Sequence, residues 1–111
     1  MRRGEVRLVD FDPVQGSEAN KRRPAIVVSN DQANAVAERL GRGVVTVVPV
    51  TSNIARVFPF QVLLAAQDTG LHVDSKARAE QVCAVSVNRL GAAVVRALDA
   101  LDDALRLHLA P

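Results

Sequence analysis

Three consecutive cations stand where a polar stretch of this chain runs into an apolar one. Lys21, Arg22 and Arg23 lie within "GSEANKRRPAIVVSND", residues 16–31, and Pro24 follows them directly. Lysine and arginine side chains donate hydrogen bonds to anions such as phosphate and carboxylate. The pattern therefore has two interpretations, a local basic site for an anionic partner or an ordinary solvated loop.

Other residue types that carry chemistry are few and scattered. His72 and His108 are the two histidines, and neither has a cysteine or carboxylate at metal-ligand spacing, so a structural zinc site is not expected. His72 falls in a turn, where proton transfer is one interpretation, whereas His108 falls on an apolar helical pattern and is expected to pack. Cys83 lies in the apolar stretch "QVCAV" and is interpreted as a buried, inert thiol.

Motifs for several enzyme classes are absent from the sequence. It contains no G-x-x-x-x-G-K-[ST] or G-x-G-x-x-G phosphate loop and no G-x-S-x-G nucleophile elbow. Aromatic residues make up only 3% of the chain, which argues against a nucleic-acid platform built on base stacking. These absences exclude the commonest nucleotide-binding and hydrolase sites.

The composition predicts one globular domain, residues 1–111. Hydrophobic residues make up 49% of the chain, enough for a core without disulfides. The net charge is +2, which is mildly basic, and one cysteine cannot form an intrachain disulfide. We expect a cytoplasmic protein, because the sequence shows neither a signal-peptide pattern nor an apolar run of about 18 residues.

The elements that must position these residues are mainly short strands. Apolar runs of about four to eight residues bounded by Gly, Pro and Asn are typical of strands. Pro24 is compatible with a strand start, because the first residue need not donate to the ladder. We expect strands at 5–11, 24–30, 44–50 and 60–66, shorter β segments within 76–85, and one more at 92–98.

Two segments have the periodicity of helices. The first begins after an N-cap at Asn30 or Asp31 and ends at a C-cap, Gly41, and the second follows an N-cap at Asp99. Together the strands and helices predict a small, strongly bent antiparallel sheet or barrel capped by a helix. The expected apolar faces are Ala33, Val36, Ala37 and Leu40 in the first helix, and Leu101, Ala104, Leu105, His108 and Leu109 in the second.

Several short motifs then follow one another in a familiar order. The chain reads "RGEVRLVDFDPVQGSEANKRRPAIVVSND", "VVTVVPVTSN", "PFQVLL" and "GLHVDSKARAEQVCAVSVNRL". Its "GSE…RP", "PVTS" and "DS…EQ" motifs resemble those of the MazF/PemK family of toxin endoribonucleases, over about Arg3 to Leu90. The resemblance implies a mainly β (α+β) fold, a small SH3-like antiparallel β-barrel of the CcdB/PemK kind with a short internal helix and a C-terminal helix.

The resemblance also implies an activity and partners. Such a protein is a homodimer that cleaves single-stranded RNA at short sequence motifs without a metal or other cofactor. A cognate antitoxin blocks the site with an acidic, extended tail. The two principal catalytic positions of the family fall here on Arg23 and Thr51. The "GSE" loop and the "EQ" pair fall on Gly16, Ser17, Glu18, Glu80 and Gln81.

One departure concerns the residues after the "EQ" pair. Many relatives continue with a basic residue and a Thr or Ser, whereas this chain continues Val82, Cys83, Ala84. Loss of that cation is expected to change affinity or base preference. Arg78 is a candidate substitute, although the sequence does not say where its side chain lies.

The expected chemistry is attack of the ribose 2′-OH on the adjacent phosphorus, which leaves a 2′,3′-cyclic phosphate and a 5′-OH. Arg23 is expected to stabilise the phosphoryl charge through paired donors, and Pro24 to hold its backbone extended. Thr51 is expected to donate to a phosphoryl oxygen, with a strand end or an ST-turn as the alternative.

Glu18 is a possible base, or a group that orients Arg23 or accepts from a base edge. The expected RNA contacts are Ser17, Lys21, Arg22, Ser52, Asn53 and Gln81.

Two other functions share the predicted fold. A gyrase-poisoning toxin of the CcdB kind would bind its target without cleaving RNA, and an SH3-like interaction module would have no catalytic role. An arginine and a threonine at the expected strand ends favour the nuclease.

Overall fold

The computed structural model describes residues 1–11, 22–96 and 105–109, with the backbone alone for 92–96. Ser17, Glu18 and Lys21, and the helix start expected at Asp99, lie outside the described residues. The strands within them are β1 Glu5–Val9, β2 Arg23–Val27, β3 Val44–Thr51, β4 Gln61–Leu64, β5 Ser75–Arg78, β6 Cys83–Ser86 and β7 Leu90–Arg96. The helices are α1 Asp31–Leu40 and α2 Ala66–Thr69, and residues 105–109 are also helical.

The strands form one antiparallel sheet in the order β4-β5-β3-β2-β1-β7. One edge of β3 pairs with β2, and the other edge is shared by β6, opposite Val44–Val47, and β5, opposite Val50 and Thr51. A 3-10 turn, Ala79–Gln81, carries the chain from β5 to β6. No pair between β4 and β7 closes the sheet within the described residues, so that part is an open sheet and the expected closed barrel is not seen there.

Both faces of the central strands are buried, which explains why β2 and β3 read as continuous apolar runs rather than alternating ones. The first core cluster includes Val6, Ile26 and Val48 together with Leu64 of β4 and Leu105. The second lies on the opposite face and includes Val9, Ala25, Val27, Val45 and Val47, with Ala37 of α1 packed on it.

The ends of α1 agree with the sequence prediction, but its buried face does not. The Asn30 side chain accepts a hydrogen bond from the Ala33 N–H, and Gly41 ends the helix at φ 66°. The buried residues are Asn34 and Ala37, whereas Val36 and Leu40 are 40% and 56% exposed. Of the expected apolar stripe, Ala37 is buried as predicted, whereas the prediction was wrong for Ala33, Val36 and Leu40.

A polar network replaces that stripe. Asn34 donates from Nδ2 to the Ser29 carbonyl at 2.8 Å, and the Ser29 hydroxyl donates to Asn34 Oδ1 at 2.5 Å. The same hydroxyl accepts from the Thr46 N–H at 3.1 Å. Burial of Asn34 is tolerated because its amide is hydrogen-bonded, and the network fixes the start of α1 against β3.

Three further predictions needed correction. β1 ends at Val9 rather than Phe11, and residues 66–69 are helical where the fourth strand was expected to continue to Ala66. Leu105 is buried as expected, but His108 is exposed, with its ring centroid 6.1 Å from that of Phe60. Among the described helices, none is long and apolar enough to cross a membrane.

Candidate active site

A cavity of about 440 Å³ opens where β2 begins and β3 ends. Its apolar floor comes from three neighbouring strands, through Leu8, Pro24 and Val50. Residues 71–73, in the turn between α2 and β5, form another part of the lining. Polar groups reach it from Arg23, Thr51, Ser52, His72 and Ser75. An apolar pocket with a few converging polar groups is the usual form of a ligand site.

Arg23 and Thr51 lie across from each other at this cavity. The β2–β3 ladder runs from Val27 opposite Val47 to Ala25 opposite Pro49. Continued by two residues in the same register, it places Arg23 opposite Thr51, the first residue of β2 against the last of β3. Side chains in directly opposed positions stand on the same side of the sheet, with Cβ atoms about 4.5–5.5 Å apart. The arrangement places the Arg23 and Thr51 side chains next to each other on one side of the sheet.

The Arg23 side chain is exposed and makes no hydrogen bond or ion pair with any other described residue. Its backbone is held on one side by pairing with Val9 of β1. The next residue, Pro24, fixes φ and biases the preceding residue toward an extended conformation. The five N–H donors of Arg23 therefore project from a stiff strand start and remain available to an anion.

The Thr51 hydroxyl has a local role that leaves its proton available. Its Oγ1 accepts from the Asn53 N–H at 3.2 Å, which is the ST-turn that the sequence left open. A hydroxyl that accepts one bond can still donate one. Thr51 can therefore shape the loop after β3 and also donate into the cavity.

The other expected RNA contacts divide between the cavity and its surroundings. Ser52 lines the cavity beside Thr51. Asn53 is exposed and does not line it, and its Oδ1 accepts from the Ala55 N–H at 3.3 Å. Arg22 is directed toward β7: a Cβ added at Gly91 would lie 3.2 Å from Arg22 Nη1. Gln81 is exposed on the 3-10 turn, also away from the lining.

Glu80 of the "EQ" pair makes a hydrogen bond that supports the fold. Glu80 Oε2 accepts from Gln61 Nε2 at 2.6 Å, and Gln61 Oε1 accepts from the Phe58 N–H at 3.1 Å. These bonds tie the 3-10 turn to the segment that leads into β4. Glu80 Oε1 and Arg78 Nε are buried and have no hydrogen-bond partner among the described residues.

A buried lysine beside the site was missed by sequence reasoning. Lys76 is the cross-strand partner of Thr51 on β5 and is only 9% exposed. Its Nζ donates to the Arg56 carbonyl at 2.6 Å, which holds the loop after β3 over β5. Lysine is rarely buried, and its partner is a backbone oxygen 20 residues away, so no local signal marks it.

The remaining sequence candidates are placed as follows. Burial raises the pKa of the Cys83 thiol, so that thiol is a poorer nucleophile than an exposed one. His72 is exposed and lines the cavity. Within residues 1–11, 22–96 and 105–109, no three His, Cys, Asp or Glu side chains cluster as a metal site would require.

The chemistry available at this cavity is the binding of a phosphoryl group. Arg23 and Thr51 lie beside each other at a cavity whose lining is partly apolar and can accept a sugar or a base. Donors fixed in advance stabilise negative charge that develops on such a group.

The chain is similar to known proteins over nearly its whole length. Residues 2–109 match the family model described as PemK-like, MazF-like toxin of type II toxin–antitoxin system. Endoribonuclease MazF9 of Mycobacterium tuberculosis is 63% identical over 113 aligned residues, covering 98% of this chain and 96% of that protein. Endoribonuclease EndoA of Bacillus subtilis is 30% identical over 115 aligned residues, covering 99% and 95%.

A solved structure is similar in fold. The MazE–MazF structure (Form-II) from Deinococcus radiodurans superimposes with a TM-score of 0.74 at 28% identity, covering 99% of this chain and 96% of that one. The family model and the relatives span nearly the whole sequence, including both strand ends at the cavity. The chain therefore belongs to the PemK/MazF family of toxins of type II toxin–antitoxin systems.

Proposed function

We propose that this chain, as a single domain of residues 1–111, is a toxin endoribonuclease that cleaves single-stranded RNA and thereby arrests translation and growth. The observation that carries the proposal is the opposed placement of Arg23 and Thr51 at the mouth of one cavity. Family membership and the endoribonuclease names of two relatives over nearly their full length support the same activity.

The mechanism follows from what these two side chains offer. The ribose 2′-OH attacks the adjacent phosphorus, the P–O5′ bond breaks, and the products are a 2′,3′-cyclic phosphate and a 5′-OH. Arg23 donates hydrogen bonds to the phosphoryl oxygens through its planar guanidinium, and the Thr51 hydroxyl donates a hydrogen bond to one of them. Both interactions strengthen as negative charge builds on those oxygens, which is the condition for lowering the barrier.

The remaining contacts extend from this centre. Ser52 is assigned to RNA inside the cavity, and Arg22, Asn53 and Gln81 are assigned to nucleotides beyond it. The proposal keeps Glu18 as a base or as a group that orients Arg23. Ser17 and Lys21 complete the proposed RNA contacts.

The proposed partners are a second copy of the chain and a cognate antitoxin. Leu107 and Leu109 are 57% and 61% exposed at the C-terminal end, which gives a dimer apolar surface to bury. The Deinococcus radiodurans relative was solved as MazE–MazF, and a site that binds phosphates also attracts an acidic tail. We also propose a cytoplasmic location.

The finer fold assignment is an SH3-like barrel. Val6 of β1 and Leu64 of β4 belong to one core cluster although three strands separate theirs in the sheet order. A core cluster shared across these strands supports a curled sheet, as in a small barrel.

The deciding experiment sequences RNA ends bearing a 5′-OH after total RNA is incubated with the purified protein. We expect new ends at a recurring short sequence motif, and none with the Arg23→Ala variant. In parallel, the protein is incubated with gyrase and supercoiled DNA. Gyrase poisoning without RNA cleavage would assign the CcdB-like function instead. Absence of both activities would favour the SH3-like interaction module.

A further inference from the structure

One side chain of the cavity has no role in the reaction described so far. His72 lines the same cavity as Arg23 and Thr51, from the turn between α2 and β5. Arg23 and Thr51 are contributed by strand ends, whereas His72 belongs to a separate segment of the lining. The cavity is therefore lined by an imidazole residue from a different element than the two proposed donors.

The backbone around His72 is anchored while its ring is not. The Leu71 N–H donates to Thr69 Oγ1 at 3.3 Å, the Ala66 N–H donates to Asp74 Oδ1 at 2.8 Å, and the Ser75 hydroxyl donates to the Val73 carbonyl at 3.0 Å. These bonds fix the turn on both sides of His72. Among the described residues none forms a hydrogen bond or an ion pair with the imidazole, so both ring nitrogens are available.

The reaction needs a proton that neither proposed donor, Arg23 nor Thr51, supplies well. The departing 5′-oxygen is a strong base and must be protonated as the P–O5′ bond breaks. An arginine guanidinium keeps its proton at any pH below about 12, and a threonine hydroxyl is a still weaker acid. Histidine is the side chain whose ordinary pKa lies within the range in which cells operate, and it is the residue most often used for proton transfer.

We propose that the imidazolium of His72 is the general acid that protonates the 5′-oxygen. This rests on the proposed function and adds a residue to it. The 2′-oxygen forms a bond to phosphorus and loses its proton to water, while the P–O5′ bond breaks and its electron pair takes the proton of His72. The neutral imidazole then regains a proton from the solvent, so protons balance over one turnover.

The test replaces the leaving atom rather than only the residue. An RNA oligonucleotide spanning a site mapped for the wild-type protein is made with oxygen or with sulfur at the bridging 5′ position. A thiolate leaves without a proton, so it needs no general acid. His72→Ala and His72→Gln are expected to cleave the oxygen substrate about 10²–10⁴-fold more slowly than wild type and the sulfur substrate at a rate close to wild type.

Two variants serve as controls. His108→Ala removes the other exposed histidine and is expected to match wild type on both substrates. Arg23→Ala removes a phosphoryl donor and is expected to lose rate on both, since the charge on the phosphoryl oxygens develops with either leaving atom. Circular dichroism and thermal melts establish that each variant is folded, and added imidazole is expected to restore part of the His72→Ala rate on the oxygen substrate.

The possible results distinguish failure of the role proposed for His72 from failure of the proposed endoribonuclease activity. An equal loss on both substrates, or no loss on the oxygen substrate, would overturn the role of His72 while leaving the endoribonuclease intact. Wild-type protein that cleaves neither substrate would overturn the proposed function itself.

Discussion

Arg23 and Thr51 occupy facing positions on adjacent antiparallel strands, two residues beyond the Ala25–Pro49 pair that ends their ladder. Pro24 stands between Arg23 and that pair and has no N–H to donate. At these strand ends the Arg23 and Thr51 side chains lie next to each other. A phosphoryl group at this point meets both donors at once.

Arg23→Ala is expected to reduce the rate of RNA cleavage about 10²–10³-fold, equivalent to about 2.7–4 kcal/mol of transition-state stabilisation. Because the side chain is exposed and has no described partner, the melting temperature should change little. Arg23→Lys keeps the charge but loses the planar fork and is expected to be intermediate. Single-turnover rates on one labelled oligonucleotide measure the effect.

Arg42→Ala is the matched control for Arg23, since Arg42 is an exposed arginine between α1 and β3. It should retain the wild-type rate. Equal losses in the two variants would mean that general surface charge, rather than the position of Arg23, supports cleavage.

Thr51→Val keeps the β-branched shape but removes both the donor and the acceptor of the Asn53 N–H bond. Cleavage is expected to fall about 10²–10³-fold, the loss typical of one transition-state donor. Thr51→Ser keeps the hydroxyl and should retain most of the rate. Activity that is retained by Thr51→Val but lost by Thr51→Ser, with both variants folded, would point to the methyl group instead.

A single 2′-deoxy substitution at the nucleotide 5′ to the scissile bond is expected to block cleavage, because the attacking oxygen is removed. The all-ribose oligonucleotide should be cleaved at an unchanged rate in excess EDTA, since Arg23 provides the positive charge at the phosphoryl group. Gel analysis of both labelled substrates, with and without EDTA, gives the comparison. Comparable cleavage of the deoxy substrate would contradict transphosphorylation even for an active enzyme.

Asn34→Ala is expected to destabilise the fold by about 1–3 kcal/mol, because the carbonyl and hydroxyl of the half-buried Ser29 lose their buried partner. Thermal unfolding is the measurement, and for a domain near this length about 1 kcal/mol corresponds to a shift of about 4–8 °C. Gln32→Ala, on the exposed side of α1, should change stability by less than about 0.5 kcal/mol. An unshifted melting curve for Asn34→Ala would show that water replaces the amide without cost.

Local signals account for the elements that the sequence predicted. Asn30 and Gly41 mark the ends of α1, because capping depends on residues next to each other in the chain. Pro24 marks the start of the apolar run that forms β2 in the same way. The sequence did not reveal the register between β2 and β3, which alone places Arg23 against Thr51.

The predictions that failed depended on tertiary contacts. A helical stripe of Val36 and Leu40 suggested the buried face of α1, but the Ser29–Asn34 bonds turn Asn34 inward instead. Lys76 is buried against a carbonyl that comes near it only after the loop following β3 has folded. Neither arrangement leaves a periodic pattern, because each depends on one partner brought there by the fold.

The apolar floor of the cavity has a calorimetric consequence. Leu8, Pro24 and Val50 belong to a lining in which Arg23 is the one arginine among the described residues, so much of the surface that a bound nucleotide covers is hydrocarbon. Burial of such surface gives a negative heat-capacity change, whereas each neutralised phosphate adds to the salt dependence of the association constant. A short ligand confined to this cavity should therefore bind with a heat capacity typical of apolar contact and with only a shallow dependence on ionic strength.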